Sequence, residues 1–368
     1  MAPVVFPLEP LRSVHLRTVE LALARYRLRF IHPFGTAHGL RDGTDAVFVR
    51  LTQEGRVGYG EATLPPYLTW TQLCVYEEIK SFWFKYGSHI SSDTDTHTTL
   101  NSLCPPARSA FVGAFNELKH STSVRSSAAQ ESGSCDRRPR ARAMVTLGHS
   151  LVQDIAQKIK ELPNAAVLKV KAGSKADQAT IREVMRVDER PLFLDANQGW
   201  RNVDEALAAI KVAGMDRVVG VEQPFAKERW DLHTALKSRV AIPIFGDESI
   251  QGPAELERAP EAFGGVNLKL MKCGGTDIAE RMAERARELG LQVMLGSMSE
   301  SSLGCATMLT LQGNADLLDL DGPWLIANDP FEGLRIEDGG MAVTGSFGSG
   351  VSLRDDHQLQ FEQVAFTR

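Results

Sequence analysis

Charged residues recur at near-even intervals through the second half of this chain: Lys169 and Lys171, then Asp195, Glu222, Asp247 and Lys269. From Lys171 onward they stand roughly 25 residues apart, about the length of one strand, one helix and two short turns, which is the repeat of a β/α barrel. Each also closes a short apolar run: Val167 to Lys171, Leu192 to Asp195, Val218 to Glu222, Ile242 to Asp247 and Val266 to Lys269. A charge at the C-terminal end of a barrel strand points into the mouth, where barrels do their chemistry. The spacing therefore predicts one site of three carboxylates flanked by ammonium groups.

The flanking sequence fits that frame. Eight strand candidates alternate with helices, at 144–148, 166–171, 192–196, 218–222, 241–246, 265–270, 291–296 and 315–320. Amphipathic helices are expected at 177–187, with Asp177 as N-cap, at 203–213 and at 276–289. Eight such strands imply a closed parallel barrel, so the expected class is α/β, a modified (β/α)7β TIM-like barrel. Before it, Val14 to Ala24, Asp45 to Leu51 and Val57 to Ala62 read as antiparallel strands, and 71–86 and 106–119 as helices. The expected organisation is an α+β capping domain over 1–142, the barrel over 143–320, and a tail over 321–368 that completes the cap. Residues 120–142, rich in Ser and Arg and without apolar period, read as an exposed loop or linker.

Composition removes several function classes. A net charge of −5 leaves no basic footprint for nucleic acid. No apolar run reaches membrane-spanning length, and the N-terminus has no signal-peptide pattern. The scattered cysteines Cys74, Cys104, Cys135, Cys273 and Cys305 form no CxxC, so the expected setting is the reducing cytoplasm.

Asp195, Glu222 and Asp247 come from consecutive strand ends, where three carboxylates would repel one another without a cation. All-oxygen ligation selects Mg²⁺ or Mn²⁺ over zinc. Lys169 and Lys171, two apart on a strand, leave the same face. Two close ammonium groups repel, which is expected to ease loss of a proton and make a base. Lys269 lies on the far side of the carboxylates. A substrate carboxylate held between the lysines exposes its α-carbon to one on each face, which suits removing a proton from one side and returning it on the other. Each pK unit of mismatch with the α-proton costs about 1.36 kcal/mol, so the enediolate needs positive charge beside it. Asp319 and Asp321 end the eighth strand, and two acids facing the mouth suit a substrate ammonium. Glu300, in the stretch from Met294 to Ser302, is placed to orient Lys269.

These motifs (LKVK, LDANQGW, VEQPF, FGDESI, VNLKLMKCGG and MLGSMSESS) resemble the enolase superfamily, in its muconate-lactonizing subgroup. With Asp319-Leu320-Asp321 the chain looks most like the dipeptide epimerases. The resemblance implies Lys171 and Lys269 as acid/base catalysts, Lys169 as electrostatic support, and Asp195, Glu222 and Asp247 as Mg²⁺ ligands. It also implies that Thr146, Asn197 and Met298 touch substrate, and that Asp319 and Asp321 hold the α-ammonium of a dipeptide whose C-terminal residue is epimerised. Cap loops at about 32–40 and 64–69 would set specificity. Their apolar residues Phe34, Pro65, Pro66, Tyr67 and Leu68 lean toward a hydrophobic side chain, while Arg41 keeps an acidic one open. The competing reading is a lyase or cycloisomerase of the same subgroup, such as o-succinylbenzoate synthase or muconate cycloisomerase, which has no need of the Asp319/Asp321 pair. A homo-oligomer is left open.

Overall fold

The computed structural model describes residues 19–36, 39–87, 99–120, 140–148, 150–345 and 348–365, with only the backbone for 34–36. Cys135 and most of the Ser/Arg-rich stretch lie outside the described residues.

Three antiparallel strands come first: β1 (Glu20–Thr36), β2 (Gly39–Gln53) and β3 (Arg56–Leu64). The region expected to be a loop at 32–40 is instead mostly strand. After an irregularity between Arg29 and Phe34, β1 and β2 go on pairing, Phe34 with Arg41 and Thr36 with Gly39. Two helices cover this sheet. Helix α1 (Gln72–Tyr86) is capped by Thr71, whose hydroxyl accepts from Cys74 N. Helix α2 (Pro105–His120) buries Ala107, Ala110, Phe111, Ala114 and Leu118, the i, i+3, i+4 stripe legible in the sequence. The tail returns to this sheet, where Glu362–Gln363 adds a strand beside β1.

The barrel strands are β4 (Arg142–Leu147), β5 (Val167–Lys171), β6 (Leu192–Asp195), β7 (Val218–Glu222), β8 (Ile244–Gly246), β9 (Gly265–Lys269), β10 (Gln292–Gly296) and β11 (Leu317–Asp319). They close in the order β10-β11-β4-β5-β6-β7-β8-β9, all parallel. After β11 comes only a one-turn helix, Gly322–Leu325, so the eighth unit lacks a full crossover helix.

Strand alternation decides where the site forms. Met144, Val167, Phe193, Phe245, Met294 and Leu317 point inward and make an apolar plug. Two residues further along the same strands, on the same face, stand Thr146, Lys169, Asp195, Asp247, Gly296 and Asp319. The plug packs its two aromatic rings edge to face, with Phe193 and Phe245 centroids 5.3 Å apart. The rings occupy space that β7 and β9 leave with glycine: a Cβ at Gly220 or at Gly265 would stand 2.4 Å from the Phe193 or Phe245 ring respectively. A polar layer thus sits on a dry floor, and its charges are poorly screened.

One correction concerns Asp177. The helix Asp177–Val187 has Ala176 as its N-cap, and Asp177 does not cap it. Its carboxylate instead accepts from Gly173 N, Ser174 N and Trp200 Nε1 and so fixes the loop that follows Lys171.

The cap is bolted to the barrel by Arg108. This buried guanidinium on α2 donates to both oxygens of Asp277, at 2.8 and 2.7 Å, and to Gly274 O at 2.7 Å. Arg108→Ala removes both charge-assisted bonds of half-buried Asp277 and leaves it with Arg281 at 3.9 Å, a loss of about 2–3 kcal/mol. Urea unfolding should show a fall of that size, and a change below about 1 kcal/mol would contradict this role.

Candidate active site

Strand order sets the geometry. Lys171 ends β5 and Lys269 ends β9, four strands apart whichever way the eight-stranded barrel is traversed. The two lysines are therefore diametrically opposed across the mouth. Between them on one side, Asp195 and Glu222 end β6 and β7, and Asp247 follows β8. On the other side are Thr146 on β4 and Asp319 on β11. These groups line or underlie a cavity of about 350 Å³, whose cap-side wall carries Arg41, Tyr67, Leu68 and Trp70.

Each carboxylate is held by lysine. Lys169 Nζ lies 2.9 Å from Asp195 Oδ2, 2.6 Å from Glu222 Oε2 and 2.6 Å from Asp319 Oδ2. Lys171 Nζ donates to Asp195 Oδ2 at 2.6 Å and to Asn197 Oδ1 at 3.0 Å. Lys269 Nζ donates to Asp247 Oδ2 at 2.6 Å. The expectation that paired lysines would lose a proton easily is not met at Lys169. Burial opposes its charge, but Asp195, Asp319 and Glu222 outweigh burial and hold it well above the ordinary lysine value. Lys269 is likewise raised: burial pulls it down, and Asp247 and Glu222 more than compensate.

The carboxylates diverge from one another. Burial would raise Asp195, yet Lys169 and Lys171 hold it below the usual carboxylate range. Asp247 is held low in the same way by Lys269 and Lys272. Glu222, fully buried, is pushed up to about 8 by burial and then by Asp195, against the pull of Lys169.

Whether this donor set suits a divalent cation can be read from two atoms. Glu222 Oε2 makes a close ion pair with Lys169, yet no donor meets it with hydrogen-bond geometry. Asn267 Oδ1 is also buried without a partner, while Asn267 Nδ2 donates to Glu222 Oε1 at 2.6 Å. Unmet buried oxygens beside three carboxylates are the hard, all-oxygen donors that Mg²⁺ takes. Among the described residues, however, no three acidic, histidine or cysteine side chains converge as ligands of one ion. The lysine ammoniums engage these oxygens instead, with Lys169 bridging Asp195 and Glu222. Gly296 permits the Asn267 placement, because a Cβ there would stand 2.2 Å from Asn267 Oδ1.

The remaining expected residues fall as follows. Asp321 Oδ2 accepts from Thr146 N at 2.6 Å, and its carboxyl is pushed up to about 6 by burial and by Asp319. Asp319, Asp321, Thr146, Asn197 and Met298 all line the cavity. Glu300 does not orient Lys269. Its carboxylate turns back to accept from Met298 N, and the Lys269 bond goes to Asp247.

Sequence reasoning missed two buried supports. Lys272, one helical turn past Lys269, donates to Asp247 Oδ1 and O and to Asn267 O at 2.7–2.8 Å. Gln223 accepts from Asp247 N and Ser249 N, both at 3.0 Å. Behind it, His233 Nδ1–H donates to Arg229 O, and burial pushes this ring down to about 4, so it stays neutral and its Nε2 accepts from Gln223. The KLMKCGG and EQP runs marked the places, but the contacts arise only when neighbouring strands close.

Arg41 is the other surprise. Its Nε and Nη1 are buried without a hydrogen-bond partner, and its guanidinium lies 5.5 Å from the ring centres of both Phe30 and Tyr67. Tyr67 in turn donates its hydroxyl to Met298 Sδ at 3.3 Å, so cap and barrel meet over the pocket.

Residues 152–357 match the family model described as enolase C-terminal domain-like. A Bacteroides thetaiotaomicron protein named L-Ala-D/L-Glu epimerase is 32% identical over 90% of this chain and 88% of its own length. A Roseobacter litoralis protein named hydrophobic dipeptide epimerase is 30% identical, over 87% of this chain and 94% of its own. The crystal structure of a dipeptide epimerase from Cytophaga hutchinsonii, complexed with Mg and D-Ala-L-Val, superposes with a TM-score of 0.79 at 22% identity, covering 94% of this chain and 99% of that one. Among the described residues no helix is long and apolar enough to cross a membrane.

Proposed function

This chain belongs to the enolase superfamily, and from that membership we propose that it is a dipeptide epimerase, inverting the α-carbon of the C-terminal residue. The observation that carries the reading is the diametric placement of Lys171 and Lys269, with carboxylates on the strands between them. Inversion needs a base on one face of a carbon and an acid on the other, and two lysines across a barrel mouth supply both. Lys169 supplies fixed positive charge. Three acids pin its ammonium, and it faces the oxygens of the developing enediolate. Asn197 holds Lys171 in line. Gln223 and Lys272 hold Asp247, and through it Lys269.

Asp195, Glu222 and Asp247 would hold Mg²⁺, which when bound neutralises the acids that otherwise keep the lysines charged and polarises the substrate carboxylate. Asp319 and Asp321 take the substrate ammonium, which leaves the C-terminal side chain to face the cap. There the isolated guanidinium of Arg41 favours an acidic side chain over the hydrophobic one suggested by the loop sequence. A half-buried guanidinium whose Nε and Nη1 lack acceptors is costly, and a carboxylate completes it. The name of the Bacteroides relative points the same way.

The test is incubation of the purified protein with Mg²⁺ and L-Ala-L-X dipeptides in D₂O. Deuterium gained at the α-carbon of X with inversion is the expected result, strongest for X = Glu. Turnover of a succinyl-cyclohexadiene acid, with no exchange in any dipeptide, would replace this reading with a lyase.

A further inference from the structure

Thr146 and Leu325 line the catalytic pocket and also a second cavity, of about 110 Å³. Ile31, Pro33, Leu147, Leu162, Trp324 and Leu325 make the apolar part of its wall, and His32, Thr146, Ser150, Lys158 and Glu161 line the rest. The charged groups around it sit toward the solvent and already have partners. His32 pairs with Glu161 at 3.1 Å, both about half exposed, and Lys158 Nζ donates to Ser150 Oγ at 3.0 Å. The cavity offers an apolar wall, and its imidazole and ammonium have hydrogen-bond partners.

We infer that this cavity takes the side chain of the substrate's N-terminal residue and favours dipeptides that begin with a medium-sized aliphatic residue over those that begin with alanine, an inference that rests on Asp319 and Asp321 holding the ammonium. The reason is covalent geometry. Ammonium and side chain leave the same α-carbon, so an ammonium held at Asp321 delivers its β-carbon next to whatever adjoins that carboxylate. Thr146 N bonds Asp321 Oδ2, and Thr146 is also a wall of the cavity. Arg41 and Tyr67 line the catalytic pocket but not this cavity, so the C-terminal side chain has a separate place. A methyl group would leave most of the space unfilled. The volume is closer to that of the ~150 Å³ apolar cavity that accepts benzene, and a leucine side chain suits it.

Two substrate pairs test this in the full-length enzyme with Mg²⁺ in D₂O: L-Ala-L-Glu against L-Leu-L-Glu, and L-Ala-L-Leu against L-Leu-L-Leu. The second pair removes any dependence on Arg41. In each pair the leucyl dipeptide should have the higher kcat/KM by about tenfold or more, since one methylene in an apolar pocket is worth about that much. Ile31→Trp, at a half-exposed strand position, and Leu162→Phe as a second route should each lower that ratio at least tenfold by filling the cavity. Equal or faster exchange of the alanyl dipeptides, or a ratio unmoved by both variants, overturns the inference and leaves the epimerase reading intact. No exchange with any of the four overturns both.

Discussion

Lys171→Ala and Lys269→Ala should each lower kcat/KM for epimerisation about 10³-fold or more, and in both directions. General acid–base groups contribute roughly 10²–10⁴-fold. Each lysine is the base for one epimer and the acid for the other, so losing either blocks the forward and the reverse reaction alike. The fold should survive both changes. After loss of Lys269, Asp247 still has Lys272 at 2.7 Å on Oδ1. After loss of Lys171, Asp195 keeps Lys169 at 2.9 Å. Neither variant leaves its buried carboxylate without an ammonium, which is the circumstance that would destabilise the protein. Steady-state kinetics from each pure epimer, with thermal unfolding alongside, checks this. A variant that is folded and slowed less than tenfold would remove that lysine from the mechanism.

Arg41→Met should reverse preference at the C-terminal residue. For L-Ala-L-Glu, losing the partner of a buried carboxylate costs about 2–5 kcal/mol, so kcat/KM should fall at least about 30-fold, mostly through KM. L-Ala-L-Leu should gain. The same substitution should stabilise the free enzyme, because it removes a half-buried cation whose buried Nε and Nη1 have no hydrogen-bond partner. The two signs together are diagnostic. An Arg41 that merely props the cap would lower both stability and activity when replaced. Competition between the two dipeptides in one reaction reads the preference directly.

The barrel and its polar layer were legible because both follow from a period of two. Each strand carries an apolar plug residue and, two positions on, a site residue, as in Val167 and Lys169, Phe193 and Asp195, or Phe245 and Asp247. Charges that end apolar runs at a fixed spacing leave few other folds. What the sequence hid depends on partners distant along the chain. Lys272 reads as an ordinary charge on a short helix, and only the closing of β8 against β9 brings it to Asp247. Asp177 has the residue type of a cap but is used by the loop before it. The hairpin of β1 and β2 runs past the apolar stretches that announced it, since its last pairs involve Gly35 and Gly39, poor strand formers held by register. Arg41 could not be ranked against the apolar residues beside it, because its isolation is a property of its surroundings.

Deuterium wash-in to each pure epimer, followed separately in Lys171→Ala and Lys269→Ala, tests the opposed-lysine account most directly. Each variant should still exchange the α-proton of one epimer and not the other, and the two variants should retain opposite epimers. If both retain the same epimer, the lysines do not face each other across the substrate's α-carbon.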